Sequence, residues 1–193
     1  PLNILERSGE KCINWCKSKD LEVIVNRALN ANYNGLMYRL ADGEESIDYY
    51  TVFNQLLEAL ETLGLESISN LINELDGSKH RFGWIGDFDT FFNTKVVGHF
   101  SKVLQNIDQH NADIIIELLD QYTKAYKTMV LYECTLKTKM EFKDILPYKN
   151  KTLQYNALKY LYENKNIDTI LVGMRKVKYV EDIISIIKDL ENE

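Results

Sequence analysis

Basic side chains and a single glycine stand together near the carboxyl end of the chain. The apolar run 167–172 has the composition of a buried strand, Gly173 follows it, and a new helical period begins at about Tyr179. Three basic residues occupy the interval: Arg175, Lys176 and Lys178. A strand that ends in glycine and presents N–H groups and positive side chains at a helix N-terminus can bind phosphate. The alternative is an ordinary strand-to-helix connection with lysines in solvent.

Other groups that could do chemistry are sparse. The three cysteines, Cys12, Cys16 and Cys134, include no Cys-x-x-Cys pair, and the three histidines are widely spaced. A metal site needs several ligands close together, so we expect no metal ion and interpret the cysteines as buried thiols of a reducing compartment. The sequence offers no Ser/His/Asp or Cys/His arrangement, and we assign no catalytic residue.

Length and charge restrict the class of protein. A chain of 193 residues can form one good core and a subdomain. The formal net charge of −6 argues against a general nucleic-acid binder, which needs a broad basic surface. No run approaches the roughly 18 apolar residues of a membrane span, and no signal peptide is visible. We therefore predict a cytoplasmic protein with neither nucleic acid nor membrane as a partner.

The elements predicted around the basic turn are of the α/β type. Residues 4–18 have helical spacing, and residues 21–25 are nearly continuously apolar, as in a parallel strand covered on both faces. Residues 26–45 are rich in glycine, asparagine and aspartate and predict a loop. Thr152 or Asn150 can cap a helix that precedes the last strand.

The middle of the chain has a different texture. Between residues 47 and 140, apolar residues recur at helical spacing, with glycines and capping residues between the segments. We predict about four helices there and no strand. The predicted organisation is a first segment 1–46, a helical insertion 47–147 and a last segment 148–193.

Both ends of the chain resemble the aldo/keto reductase family. Pro1-Leu-Asn and the stretch 21–41, with Asn26-Arg-Ala-Leu-Asn, resemble the sixth and seventh strand region, although Ala28 replaces the proline of the family's Arg-Pro-Leu turn. The stretch 152–187, with Gly173-Met-Arg, resembles the last helix, strand and helix of a branch with a long helical insertion. Through the middle of the chain, only the architecture is similar.

The resemblance implies a fold and a cofactor. The fold would be α/β, the C-terminal part of a (β/α)8 TIM barrel with a mostly α-helical insertion. The family binds NADP without a Rossmann domain and holds the 2′-phosphate on the turn after strand eight. The carried-over cofactor-binding residues are Asn26, Arg27 and Leu29 beside the pyrophosphate, Gly173, Met174, Arg175 and Lys176 at the phosphate turn, and Tyr179 and Asp182 at the adenine. Ile183 departs from the family's usual asparagine, which leaves NAD open beside NADP.

The resemblance also implies what this chain would lack. The family's Asp-Tyr-Lys-His tetrad lies on earlier strands, where the tyrosine acts as general acid while hydride passes to a carbonyl. We therefore expect the cofactor-binding C-terminal half of an NADP-dependent oxidoreductase acting on a small-molecule carbonyl or alcohol. Alone, this fragment would be inactive and prone to self-association through unpaired strand edges.

Two alternatives stay open beside this interpretation. The first is a non-catalytic helical interaction module that keeps the outline of a degenerate reductase. The second is an unrelated α/β protein whose basic turn merely looks like that of the family. A strand carrying the tetrad's aspartate and tyrosine, encoded upstream, would favour the enzyme over the interaction module.

Overall fold

The computed structural model describes residues 2–174 and 176–191. Contacts divide the chain into two compact units. Unit 1 comprises Pro1–Asp42 and Thr135–Glu193, and unit 2 comprises Gly43–Cys134. Each unit has a hydrophobic core of its own.

The elements are as follows in chain order: α1 (Glu10–Ser18), β1 (Ile24–Val25), β2 (Asn30–Tyr33), β3 (Leu36–Arg39), α2 (Tyr49–Thr62), α3 (Glu66–Ser78), a 3₁₀ turn (Lys79–Arg81), α4 (Ile85–Phe91), a π-helical turn (Phe92–Val96), α5 (Val97–Leu104), α6 (Gln109–Glu141), α7 (Leu153–Tyr162), β4 (Thr169–Ile170) and α8 (Val177–Glu191).

The prediction of an α/β fold with part of a (β/α)8 barrel is wrong. The protein is mostly helical, and the described residues contain four short strands in two separate two-stranded sheets. A barrel requires eight strands that each pair on both sides. Here β1 and β4 pair only with each other over two residues, in parallel, with Ile24 opposite Thr169 and Val25 opposite Ile170.

The local reason for the short strands is their burial pattern. Residues 22–25 alternate, with Val23 and Val25 buried while Glu22 is exposed and Ile24 is 54% exposed, and Leu21 before them is 46% exposed. Its continuous apolar character suggested a strand covered on both faces, but one face lies open. The side chain of Leu171, which directly follows β4, is likewise exposed, at 55%.

The loop predicted for residues 26–45 is also wrong, because it contains an antiparallel hairpin. Strands β2 and β3 pair from Asn30 opposite Arg39 to Tyr33 opposite Leu36. Asn34 and Gly35 form the two-residue turn with φ angles of 51° and 81°. Positive φ at both positions is typical of a type I′ turn, for which Asn-Gly is the preferred sequence.

Helix α7 lies at the centre of unit 1. Residues 153–159 are all buried, and the hydroxyl of Thr152 accepts a hydrogen bond from the Tyr155 N–H at 3.0 Å. This confirms Thr152 as the helix cap. The buried side chains Tyr179 and Ile186 of α8 belong to the same core, as do Val23 and Val25 around β1.

Unit 2 is helical throughout. Every residue from 47 to 140 is described and none lies in a strand, which confirms the predicted all-helical character of this interval. The helices are more numerous than the four predicted, because α4, the π-helical turn and α5 divide one predicted helix. Three fully buried tyrosines, Tyr49, Tyr122 and Tyr126, stand in the core of this unit.

Candidate functional site

The parallel pairing of β1 and β4 places the residues that follow the two strands at one edge of the small sheet. The Leu171 N–H donates to the Val25 carbonyl at 2.8 Å, which continues the ladder beyond β4. Asn26 and Arg27 leave β1 at this edge, and Gly173 and Met174 leave β4 there. We call these four residues the carboxyl edge.

Arg27 has an unusual backbone conformation. Its φ angle is 55°, in the left-handed region that non-glycine residues seldom adopt. Its carbonyl accepts a hydrogen bond from the Asn30 N–H at 3.1 Å, which closes a tight turn directly after β1. Both Arg27 and Asn26 are exposed, and the described part of the chain offers the Arg27 guanidinium no ion-pair partner. Such strain is concentrated at functional sites in proteins.

The predicted phosphate turn follows β4. Gly173, Met174 and Lys176 are exposed, and α8 begins at Val177. Arg175, predicted to contact the phosphate, lies outside the described residues. The structure therefore brings Gly173, Met174 and Lys176 to the start of α8, at the same edge of the sheet as Asn26 and Arg27. Helix N-termini favour anions because their first N–H groups have no partner within the helix.

Leu29 is buried rather than exposed to a ligand. Its side chain is 5% exposed and belongs to the unit 1 core, while its carbonyl accepts a hydrogen bond from the Leu40 N–H at 2.9 Å. The neighbouring Asn30 carbonyl accepts from Nδ2 of the fully buried Asn3 at 2.9 Å. These bonds fix the turn after β1 against the hairpin and the start of the chain.

Tyr179, predicted at the adenine, lies in the first turn of α8 and is 6% exposed. Its ring is covered by Arg39, whose guanidinium carbon lies 5.9 Å from the ring centroid. Arg39 Nη1 also donates to Oδ1 of Asn30 at 2.6 Å and to the Leu29 carbonyl at 3.4 Å. Arg39 thus connects the turn after β1 with the start of α8.

Asp182, the second residue predicted at the adenine, connects α8 with the start of α7. Its side chain is 9% exposed, and Oδ2 accepts hydrogen bonds from Gln154 Nε2 at 2.7 Å and from the Thr152 hydroxyl at 3.0 Å. These contacts give Asp182 a structural role, and its place in an adenine pocket stays a prediction.

Asp42 extends this polar network. Its Oδ1 accepts from the Leu153 N–H at 2.9 Å, and its Oδ2 pairs with Lys139 at 2.6 Å. The Asp42 N–H donates to Oε1 of the buried Gln154 at 2.7 Å. The amino end of α7 is thereby held by Thr152 and Asp42 together, and α8 is held to it through Gln154.

No tyrosine of unit 1 with a resolved shift has the pKa of a general acid. Burial, followed by hydrogen bonding to carboxylates, raises the pKa values of Tyr38, Tyr155 and Tyr160 to about 12. Their acceptors are Glu141, Asp189 and Glu10, respectively. A general acid works best when its pKa lies near the working pH, so these three tyrosines do not suit proton donation.

An apolar cleft of about 390 Å³ lies between α7, β4 and α8. Leu158, Ile170, Met174 and Ile183 are among its lining residues, and Asp168 is the charged one. Such a lining suits apolar groups rather than phosphate. In residues 2–174 and 176–191, no cluster of three or more His, Cys, Asp or Glu side chains could hold a metal ion. Across the same residues, no helix is both long and apolar enough to cross a bilayer.

Three residues of this region were not predicted from the sequence: Arg39, Asp42 and Gln154. The signal for Arg39 was the Asn34-Gly35 turn, which sets the hairpin register and places Arg39 opposite Asn30. Asp42 and Gln154 are separated by 112 positions, and no local pattern indicates their contact.

Comparisons with known proteins add no relative: no family model, curated protein or solved structure matches this chain. The resemblance to aldo/keto reductases stays a prediction, and it rests on the residues of the chain itself, in particular Arg27 and Leu29 and the Gly173-Met174-Arg175 step.

Proposed function

We propose that unit 1 binds the phosphate groups of a nicotinamide dinucleotide at the carboxyl edge, with NADP preferred over NAD. In this role it is the cofactor-binding part of an oxidoreductase that acts on a small-molecule carbonyl or alcohol. The oxidoreductase class comes from the resemblance at both ends of the chain. The binding site comes from the arrangement around β1 and β4.

The observation that carries the proposal is the parallel pairing of β1 with β4. Two segments separated by more than a hundred residues, the turn at Asn26-Arg27 and the turn at Gly173-Met174, leave the sheet at the same edge. Both were expected to contact one cofactor, and pairing in the antiparallel sense would have sent them to opposite edges.

Charge and backbone chemistry support an anionic ligand at this edge. Arg27 is exposed, strained and without a carboxylate partner among the described residues. Lys176 precedes the first turn of α8, whose N–H groups and dipole favour negative charge. Gly173 has no Cβ, and the space that a Cβ would occupy is open. A phosphate can therefore approach the backbone closely at this position.

The test compares NADPH and NADH binding by isothermal titration calorimetry to the native chain and to Arg175→Ala. Loss of one charge-assisted phosphate contact costs roughly 1.5 to 3 kcal/mol, or about tenfold to a hundredfold in affinity. We expect that fall for NADPH and little change for NADH. Lys165→Ala is the matched control, because the exposed Lys165 precedes the amino end of β4. Equal losses for both cofactors, or equal effects of the two variants, would contradict the proposal.

The chain by itself should not reduce carbonyl compounds. No residue of this chain is assigned as the counterpart of the family's proton-donating tyrosine, and the raised pKa values of Tyr38, Tyr155 and Tyr160 leave none of these three suited to that role. General acid catalysis commonly contributes a factor of roughly 10² to 10⁴. Turnover of NADPH by the purified chain above a protein-free control would contradict this assignment.

Two observations favour the second candidate, a non-catalytic helical interaction module derived from a degenerate reductase. Tyr179 and Asp182 are buried in contacts within unit 1, and unit 2 is a helical unit with its own core. Under this alternative, neither NADPH nor NADH would bind, and Arg175→Ala would have no ligand whose affinity it could change.

A further inference from the structure

We infer that Arg39, from the hairpin, is a further phosphate-binding residue of this same site. The inference rests on the proposed function, because it adds a further cationic side chain, besides the proposed Arg27, Arg175 and Lys176, to the dinucleotide site at the carboxyl edge. Arg39 lies within the stretch 21–41 that resembles the family, but the resemblance assigns it no role, and its contacts in the folded chain are what bring it to the site.

Position is the first argument. Arg39 is the last residue of β3 and stands opposite Asn30 of β2. Its Nη1 contacts the side chain of Asn30 at 2.6 Å and the Leu29 carbonyl at 3.4 Å, both just after the strained turn of Arg27. Its guanidinium also faces the ring of Tyr179 in the first turn of α8. The side chain therefore contacts residues that follow each of the two segments of the candidate phosphate site: Leu29 and Asn30 after Arg27, and Tyr179 after Lys176.

Charge is the second argument. Several cations of unit 1 have a carboxylate partner, such as Lys17 with Asp168 and Lys139 with Asp42, both at 2.6 Å. Arg39 is half-buried, and its acceptors within the described residues are a carbonyl and an amide oxygen, which are neutral. Partial burial of a positive charge without a counter-charge is unfavourable. An anionic ligand would supply the missing negative charge.

Donor geometry is the third argument. Both hydrogen bonds of Arg39 start from Nη1, so within the described part of the chain Nη2 and Nε make no bond. A guanidinium has five N–H donors in a planar fork that suits two oxygens of one phosphate group. The contacts of Nη1 and the Tyr179 ring hold this fork in place before a ligand arrives, which lowers the entropy cost of binding.

The experiment measures NADPH affinity for Arg39→Gln and Arg39→Lys by titration calorimetry over a range of salt concentrations. Glutamine keeps a polar N–H group but removes the charge and the guanidinium fork. We expect its affinity for NADPH to fall by about tenfold or more, with a weaker dependence on salt because one charged contact is gone. Lysine keeps the charge without the fork, and its affinity should lie between those of the native chain and Arg39→Gln.

Arg7→Gln is the matched control. Arg7 is an exposed arginine of unit 1 whose guanidinium carbon lies 5.0 Å from the centroid of a tyrosine ring, Tyr160. Arg7→Gln therefore removes the same charge and the same type of contact, at a residue for which the described part of the chain shows no hydrogen bond, ion pair or ring contact with Asn26, Arg27, Gly173 or Met174. Its affinity for NADPH and its salt dependence should stay close to those of the native chain.

The outcomes separate this inference from the proposed function. If NADPH binds and is sensitive to Arg175→Ala but not to Arg39→Gln, the proposed function stands and the role of Arg39 is wrong. A fall in affinity with unchanged salt dependence and a lowered unfolding midpoint would give Arg39 a structural role and overturn the inference. If the native chain binds no NADPH, inorganic pyrophosphate is the probe. Its binding, weakened by Arg39→Gln, would support an anion site, and no binding would overturn it.

Discussion

Replacement of Asp182 by alanine should destabilise unit 1 strongly, whereas asparagine at the same position should be tolerated. Oδ2 of Asp182 accepts both hydrogen bonds of this side chain, from Gln154 Nε2 at 2.7 Å and from the Thr152 hydroxyl at 3.0 Å. A single amide oxygen in the same place can still accept both bonds. Alanine cannot, and it leaves the fully buried Gln154 without its acceptor.

The expected difference follows from these contacts. Hydrogen bonds to a charged group contribute roughly 1.5 to 3 kcal/mol each, and neutral ones roughly 0.5 to 1.5 kcal/mol. Asp182 is 9% exposed, so solvent weakens these bonds little. Asp182→Ala should therefore lower the free energy of unfolding by about 3 kcal/mol or more. Asp182→Asn should lower it by about 1 to 2 kcal/mol, since the bonds remain and only the charge is lost.

Urea unfolding monitored by tryptophan fluorescence measures this difference in unit 1. The chain has two tryptophans, Trp15 in α1 and Trp84 in unit 2. In a Trp84→Phe background, the emission of Trp15 follows unit 1, and separate unfolding of the two units does not obscure the transition. If the alanine and asparagine variants unfold at the same urea concentration, the two bonds to Oδ2 do not hold α7 and α8 together.

Three further predictions concern packing, pH and association. A Cβ on Gly43 would lie 2.6 Å from the Leu131 carbonyl carbon, so Gly43→Ala should cost roughly 1 to 3 kcal/mol in urea unfolding, whereas Gly77→Ala, in open space within α3, should be neutral or stabilising. The pKa of Asp168 is lowered, first by the hydrogen bond from the Lys17 ammonium and then by that from the Val23 N–H. The ionised Asp168 therefore stabilises the fold fully above the unfolded pKa of about 3.9, and this stabilisation is lost as pH falls through the lower folded pKa. Asp168→Asn should therefore flatten the fall of the unfolding midpoint below about pH 4, and an unchanged profile would contradict this. Light scattering should show that the native chain self-associates, because within the described residues the sheet of β1 and β4 is open at its edges. Leu171→Lys, at the exposed residue that follows β4, should reduce this association. A monomer at all concentrations would show that the edges are protected.

The helices could be predicted from the sequence because their signals are local. Apolar spacing gave the helical interval of residues 47–140, and the hydroxyl of Thr152 was recognisable as a cap from its position before an apolar helical face. The hairpin was missed although Asn34-Gly35 is a strong turn signal. The glycine and asparagine content of its surroundings had suggested a loop without strands.

The barrel could not be judged from the sequence because strand pairing is not a local property. The runs 21–25 and 167–172 have the composition of covered strands. In the structure, however, only two residues of one run form strand pairs with two residues of the other, and Ile24 and Leu171 stay exposed. The position of Arg39 beside Tyr179 depends on the hairpin register and on the placement of α8 together. Arg39 and Tyr179 are 140 positions apart in the chain, so no local sequence pattern predicts their contact.

Amide chemical-shift perturbation by NADPH tests the claim that a dinucleotide binds at the carboxyl edge. In an assigned ¹⁵N spectrum, we expect the amides of Asn26, Arg27, Gly173, Met174 and Lys176 to shift together as NADPH is added. Their shifts should saturate with one dissociation constant, and the amides of unit 2 should not move. Shifts confined to unit 2, or no saturable shift at Arg27 and Gly173, would contradict the claim.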